Sequence, residues 1–155
     1  MDQEIKTDPA NSEKNEWLVF VSHAGTDTWI AKRIAEMIEA NGGKTFLDEA
    51  HIDAGEDFEE RILLALDDAD ELLVLLTPWS LKRPYVWAEL GAAWSKRKPI
   101  IVVLYGLSPE ELTTQASVPI FIKRRDLIDL NQFDVYLDQL NRRMVARPGK
   151  ENDNG

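Results

Sequence analysis

The segment PYVWAELGAAW, Pro84 to Trp94, holds eleven residues and one charged side chain, that of Glu89. The other residues of the segment are apolar, small or aromatic, and burying a lone carboxylate is unfavourable unless it is paired or hydrogen-bonded. A carboxylate held in such surroundings can stabilise positive charge that develops on a reacting ligand. The alternative is a carboxylate at the solvent edge of its helix, or one paired with Arg83 or Arg97.

Other candidate side chains follow apolar runs of strand length. They are Ser22, His23 and Ala24 after the first run, Asp48 at the end of the second, and Trp79 and Tyr85 after the third. Ligands of open α/β sheets bind beyond the carboxyl ends of the strands, so we expect these residues to lie near one another. Tyr85 and Glu89 are four positions apart and share a helix face. The free N–H groups that begin this helix favour an anion at the same edge.

Five apolar runs predict the strands, at residues 17–22, 44–48, 71–77, 99–105 and 118–123. Runs of Val, Leu and Ile without alternation indicate strands that are buried on both faces, as in a parallel sheet. Helical periodicity occupies residues 28–43, 56–70, 84–98 and 130–144. This alternation predicts an α/β fold, a three-layer flavodoxin-like sandwich. Its five-stranded parallel sheet should have the order 2-1-3-4-5, with helices on both faces.

Several local expectations accompany this fold. Trp87 and Trp94 are seven positions apart, so we expect both in the core, and Trp29 belongs to the apolar stripe of the first helix. Asp27 or Thr28 is expected to cap that helix. The stretch GLSPEELTTQAS has little pattern and is expected to be irregular.

Composition narrows the function further. The net charge of −10 argues against a broad nucleic-acid surface, and no apolar run approaches the length needed to span a bilayer. The chain has no cysteine, which fits a reducing cytoplasm. His23 and His51 lack metal-ligand spacing and no phosphate-binding glycine motif occurs, so we expect neither a metal nor a bound cofactor. Residues 16–145 should form one domain between a disordered lead-in (1–15) and tail (146–155).

Three segments together resemble the TIR (Toll/interleukin-1 receptor) domain family, in its bacterial branch. VFVSHAGTD resembles the first box of the family, DEAHIDAGEDF resembles its BB loop, and PYVWAELGAAW resembles its WxxxE helix with Glu89 on the motif glutamate. The chain departs from that motif at Tyr85, where the family has tryptophan. The resemblance covers about residues 16–145.

The resemblance implies that the chain is an NAD+ nucleosidase. Enzymatic TIR domains cleave the bond between nicotinamide and ribose, giving ADP-ribose or a cyclic ADP-ribose, with NAD+ as a substrate and not a cofactor. Such a role fits bacterial immune signalling or toxicity. It would make Glu89 the catalytic group. The alternative is a non-catalytic interaction module that scaffolds or mimics TIR–TIR signalling assemblies.

The resemblance also implies self-association through the BB loop, and possible binding to other TIR domains. The candidate loop residues are His51, Ile52, Asp53, Gly55 and Glu56. Because this loop is acidic, the basic segments LKRP and SKRK are candidate acceptors.

The substrate-binding candidates each have a functional and a structural interpretation. Asp48 could orient Glu89 or a ribose hydroxyl, or stabilise the BB loop. His23, with Ala24 beside it, could contact a phosphate or the nicotinamide amide, or be an ordinary loop residue. Ser22 could make a hydrogen bond at the strand end. Tyr85 and Trp79 could stack on a ring of the substrate, or pack against the protein.

Overall fold

The computed structural model describes residues 16–47, 58–123, 125 and 127–147. Its strands are β1 (Leu18–Ser22), β2 (Lys44–Leu47), β3 (Glu71–Leu76), β4 (Ile100–Leu104) and β5 (Leu127–Asp129). They form one five-stranded parallel sheet in the order β2-β1-β3-β4-β5. The predicted fold class and strand order are confirmed. The predictions for residues 1–15 and for the last part of the tail fall outside the described residues.

Six helices connect the described strands or flank them. They are α1 (Thr28–Ala40), α2 (Phe58–Asp68), α3 (Pro84–Ser95), α4 (Pro109–Thr114), α5 (Ile120–Lys123) and α6 (Phe133–Ala146). Short 3-10 turns precede three of them, at Gly25–Asp27, Ser80–Lys82 and Leu130–Gln132. Proline at the first position of α3 suits a helix start, because its missing N–H would have no partner there.

The helices cover both faces of the sheet, which explains the continuous apolar runs. Successive strand residues point to opposite faces. Val19, Val21 and Leu73 pack with α1 and α6 in one cluster, while Phe20 and Leu72 pack with α2 and α3 in the other. Every residue of β3 is buried. A central strand with two covered faces needs apolar residues at nearly every position, and β3 has them.

A buried carboxylate breaks that apolar pattern at the amino end of β3. Glu71 has no exposed surface, and its oxygens accept hydrogen bonds from the Trp17 indole at 2.7 Å and the Tyr136 hydroxyl at 3.2 Å. Arg143 of α6 adds two bonds, of 3.1 and 2.9 Å. Burial, and then the charge of Glu71, raises the pKa of Tyr136 above its ordinary value. This Glu71 cluster joins α6 to the sheet, at the opposite strand ends from Glu89.

The predicted fifth strand at residues 118–123 is wrong. Residues 120–123 form α5, in which Ile122 is buried and Ile120 is exposed. Val118, which precedes α5, is also buried. The edge strand is β5, three residues long, which pairs with β4 from Val102 to Leu104.

The unpatterned stretch and several local expectations are also corrected. Residues 109–114 form α4, whose start is capped by the Ser108 hydroxyl accepting from the Glu111 N–H at 3.1 Å. Trp29 is 70% exposed and Trp94 is 55% exposed, so neither belongs to the core. Trp94 stacks on Phe121 with ring centroids 5.2 Å apart. The Trp29 ring instead lies beneath the Arg33 guanidinium, 5.3 Å from the ring centroid.

Candidate functional site

Glu89 lies inside the protein, on the face of α3 that is turned to the sheet. It is 2% exposed. The Ser22 hydroxyl, at the end of β1, donates a hydrogen bond to its Oε2. Glu89 is therefore not a carboxylate at the solvent edge of its helix. Of the interpretations that the sequence left open, the structure thus shows a buried carboxylate at the carboxyl end of β1.

Tyr85 ties the first turn of α3 to the loop that follows β1. Its hydroxyl accepts from the Gly25 N–H at 3.2 Å and donates to the His23 backbone oxygen at 3.4 Å. The ring is half-buried and packs against the core cluster beneath α2 and α3. Glu89 thus contacts the last residue of β1, and Tyr85, one helical turn before it, contacts the loop that follows.

A cavity of about 500 Å³ opens beside Glu89. Its described lining comes from α2 and α3 and consists of Ile62, Leu63, Pro84, Tyr85, Ala88, Glu89 and Ala92. The walls are mainly apolar and Glu89 supplies the charge. Ligand sites in proteins have this size and this combination of apolar walls with a few polar groups. The lining residues of α2 were missed in the sequence because their apolar side chains were interpreted as core.

The remaining predicted site residues occupy different positions. The His23 imidazole is buried, with Nδ1 at 3.4 Å from the Val21 oxygen and Nε2 at 3.5 Å from the Thr28 hydroxyl. Ala24 has no exposed surface. Trp79 lies exposed on the turn between β3 and α3. The structure thus brings Ser22, Tyr85 and Glu89 together.

The substrate-binding candidate Asp48 lies outside the described residues. So do the BB-loop candidates, which are His51, Ile52, Asp53, Gly55 and Glu56. Among the residues that are described, no group of three or more potential metal ligands converges. In that same part of the chain, no helix is both long and apolar enough to cross a membrane.

A buried polar cluster beside the site was not predicted. The Thr77 hydroxyl, just after β3, donates to Asp27 Oδ2 at 2.6 Å and accepts from the Ser80 N–H at 3.1 Å. Asp27 was expected to cap α1, but its side chain makes no capping bond. The Thr28 hydroxyl donates to the Gly25 oxygen at 2.8 Å and is not a cap either. The available signal was that Asp27 and Thr77 both follow buried strands.

The fold and the site define a flavodoxin-like α/β domain with a buried glutamate beside a cavity. A family model described as the TIR domain matches residues 19–144, and the chain belongs to that family. The resemblance found in its three sequence segments is confirmed. Assignment to the bacterial branch stays a prediction.

The chain is also similar to a named plant protein. A probable 2′ cyclic ADP-D-ribose synthase of Brachypodium distachyon is 28% identical over 102 residues, which are 64% of this chain. The match spans 46% of that curated relative, which is about half its length.

Two solved structures are similar in fold. The TIR domain of the Toll-related receptor TRR-2 from Hydra magnipapillata has a TM-score of 0.62 at 24% identity, covering 82% of this chain and 97% of that one. A metazoan TIR-STING receptor from C. gigas has a TM-score of 0.61 at 19% identity, covering 81% of this chain and 38% of the receptor.

Proposed function

We propose that this TIR domain cleaves the bond between nicotinamide and ribose in NAD+, with Glu89 as its catalytic residue. The observation that carries the proposal is a glutamate that is 2% exposed and yet forms part of the wall of a cavity of about 500 Å³. A carboxylate in that position would face a bound ligand from a largely apolar surrounding, where electrostatic interactions are stronger than in water. The name of the Brachypodium relative, a cyclic ADP-ribose synthase, supports the same substrate.

The chemistry needs only one carboxylate. As the glycosidic bond breaks, its electron pair passes to the pyridinium nitrogen, and nicotinamide leaves as a neutral molecule without an acid to protonate it. Positive charge develops on the ribose, as in other glycoside cleavages. A water molecule then bonds to the anomeric carbon and loses a proton, giving ADP-ribose; attack by a group of the substrate itself would give a cyclic product.

Glu89 would act by stabilising the developing cation and by accepting hydrogen bonds from the ribose hydroxyls. Preorganised groups of this kind contribute roughly 3–4 kcal/mol each to transition-state stabilisation. Ser22 would hold the carboxylate in place through its bond to Oε2. Tyr85 would form one wall of the substrate site. Contacts of His23, Ala24, Asp48 and Trp79 with substrate stay predictions.

Nicotinamide release tests the proposal. Purified protein at high concentration is incubated with NAD+, with and without a crowding agent, and compared with Glu89→Gln, which keeps the size of the side chain and removes its charge. Glu110→Gln, at an exposed position of α4, is the matched control. We expect release by the unchanged protein and by the control, and its loss in Glu89→Gln. No release under any assembling condition would favour the non-catalytic interaction module.

We also propose that the domain self-associates through the acidic segment 48–57, with a basic segment of a second copy as the acceptor. Of the two candidates, LKRP exposes Lys82 and Arg83 on the turn before α3. In SKRK, by contrast, Lys96 forms an ion pair with Asp67 and Lys98 donates to the Asp67 backbone oxygen. We therefore propose Lys82 and Arg83 as the acceptor, because both are exposed, whereas two of the three cations of SKRK are engaged with Asp67.

A further inference from the structure

Three residues between positions 77 and 89 contact the end of β1 or the loop that follows it. Two of these contacts lie at the site itself: Glu89 accepts from Ser22, and the Tyr85 hydroxyl bonds to Gly25 and His23. The third contact is the bond between Thr77 and Asp27, residues that are 50 positions apart in the chain. Neither Asp27 nor Thr77 belongs to the described lining of the cavity.

The third contact, between Asp27 and Thr77, joins polar side chains that are buried, and their burial needs a physical reason. Asp27, Thr77 and Ser80 are all buried, and Thr77 and Ser80 have no exposed surface. Polar groups in such positions destabilise the fold unless their hydrogen bonds are made. Apolar residues of the same shape would serve a purely packed core equally well or better.

Thr77 is the centre of this cluster. Its hydroxyl donates to Asp27 and accepts from the Ser80 N–H, while its backbone N–H donates to the Ser80 hydroxyl at 2.7 Å. The Ser80 hydroxyl in turn donates to the Thr77 backbone oxygen at 3.1 Å. The turn after β3 is thus closed by its own two side chains, and Asp27 fixes that closed turn to the β1 loop.

The closed turn is also bound to α3. The Leu81 N–H donates to the Thr77 oxygen at 3.3 Å, and the Leu81 oxygen accepts from the Trp87 indole at 3.2 Å. The Arg83 N–H donates to the Ser80 oxygen at 3.0 Å, immediately before α3 begins. A shift of the turn would therefore move the first turn of α3, with Tyr85, and the next turn, with Glu89.

We infer that Asp27 and Thr77 are positioning residues for the candidate site: their hydrogen bond sets the position of α3 against the β1 loop and so aims the Glu89 carboxylate. The inference rests on the proposed NAD+ cleavage for its effect on rate, but the structural coupling does not depend on that activity. Misplacing a catalytic group by about 1 Å can lower a rate by about 100-fold. Loss of this bond should therefore reduce kcat with little change in KM.

The test compares three variants of the cluster with one control. Thr77→Val has the same shape and removes the hydroxyl, Thr77→Ser restores it, and Asp27→Ala removes the acceptor of the bond. Thr113→Val is the control, because the Thr113 hydroxyl makes one bond to a backbone oxygen on exposed α4. For each variant, nicotinamide release gives kcat and KM, and amide hydrogen exchange reports on residues 80–90 and on β4.

We expect Thr77→Val to lower kcat by about 10- to 100-fold at an unchanged KM. Exchange should become faster in residues 80–90 but not in β4. Thr77→Ser should return both readouts towards the unchanged protein, and Thr113→Val should alter neither. If Thr77→Val does not fold, Asp27→Ala, which removes the acceptor, decides by the same two readouts.

The inference is overturned if Thr77→Val leaves kcat unchanged or raises KM alone. It is also overturned if amide exchange in that variant increases equally in β4. If the unchanged protein releases no nicotinamide, the proposed function fails and hydrogen exchange alone decides. Faster exchange confined to residues 80–90 then supports the positioning role, and unchanged exchange refutes it.

Discussion

The Ser22 hydroxyl donates a hydrogen bond to the carboxylate of Glu89, 67 positions further along the chain. Both residues are buried, and they come from β1 and α3. The two elements meet because β1 and β3 are neighbours in the sheet and α3 follows β3. The strand order thus supplies the buried carboxylate with a hydrogen-bond donor.

Replacing Ser22 by alanine should therefore harm both stability and activity. The variant leaves a buried carboxylate oxygen without its hydroxyl donor, and such a loss costs about 1–3 kcal/mol. We expect the free energy of unfolding in urea to fall by that amount, and nicotinamide release to slow because Glu89 is less firmly held. Ser95→Ala, at the exposed end of α3, is the control and should change neither. Full activity in Ser22→Ala would contradict the assigned role.

The Glu71 cluster at the opposite strand ends should affect stability alone. Arg143→Met removes the cation that is bonded to Glu71 and leaves a carboxylate with no exposed surface. Breaking a buried ion pair in this way costs about 3 kcal/mol. Urea unfolding should show that loss, while the rate of nicotinamide release from the folded protein stays the same. Arg142→Met, one position away and exposed, is the matched control. Equal unfolding free energies in the two variants would argue against the cluster.

The raised pKa of Tyr136 predicts that the free energy of unfolding decreases as pH rises into the alkaline range. Burial and the charge of Glu71 raise the pKa of Tyr136 in the folded protein well above its ordinary value of 10.0. Above pH 10.0 the unfolded chain loses a proton that the folded protein retains, so this group destabilises the fold as pH rises. The slope is at most about 1.4 kcal/mol per pH unit.

Tyr136→Phe lacks this ionisation. The difference in unfolding free energy between the unchanged protein and Tyr136→Phe should therefore narrow above pH 10.0. Urea unfolding of both proteins, at pH values on both sides of 10.0, measures this difference in free energy. Tyr105→Phe, at an exposed tyrosine, is the control variant. A constant difference across this range would refute the prediction.

Charge reversal tests the proposed self-association. Asp53→Lys with Glu56→Lys should weaken assembly, measured by light scattering, because the acidic segment would then repel its basic acceptor. Lys82→Glu should weaken it as well, and combining the reversals on both sides should restore it. Arg97→Glu, in the other basic segment, should leave assembly unchanged. If scattering is insensitive to all of these changes, the interface lies elsewhere.

Much of this fold is predictable because burial on both faces leaves a strong trace in the sequence. β3 is apolar at all but its first residue, and the strand order follows from the alternation of strands with helices. β5 has no such trace. Its three residues lie within IKRRDLIDL, and its pairing with β4 defines it as a strand. The neighbouring apolar run at residues 118–123 was the more strand-like of the two, yet residues 120–123 form a helix.

The sequence identified the central residue of the site but not its hydrogen bonds. Glu89 stands out as the one charge in an apolar helix, but that contrast left a buried and a solvent-edge carboxylate both open, and the structure shows it buried. Its bond to Ser22 depends on the directions of two side chains, which the spacing of residues does not encode. The same holds for Asp27 and Thr77. Each is an ordinary polar residue after a strand, and only their 2.6 Å contact shows the link between the two loops.

The most direct test of the central claim is a crystal structure of Glu89→Gln with NAD+, because a variant that binds without cleaving would retain the intact substrate. We predict that the ribose next to nicotinamide lies in the cavity beside Tyr85, with its anomeric carbon and hydroxyls against the side chain at position 89. NAD+ bound elsewhere, or with that ribose out of contact with position 89, would contradict the catalytic role of Glu89.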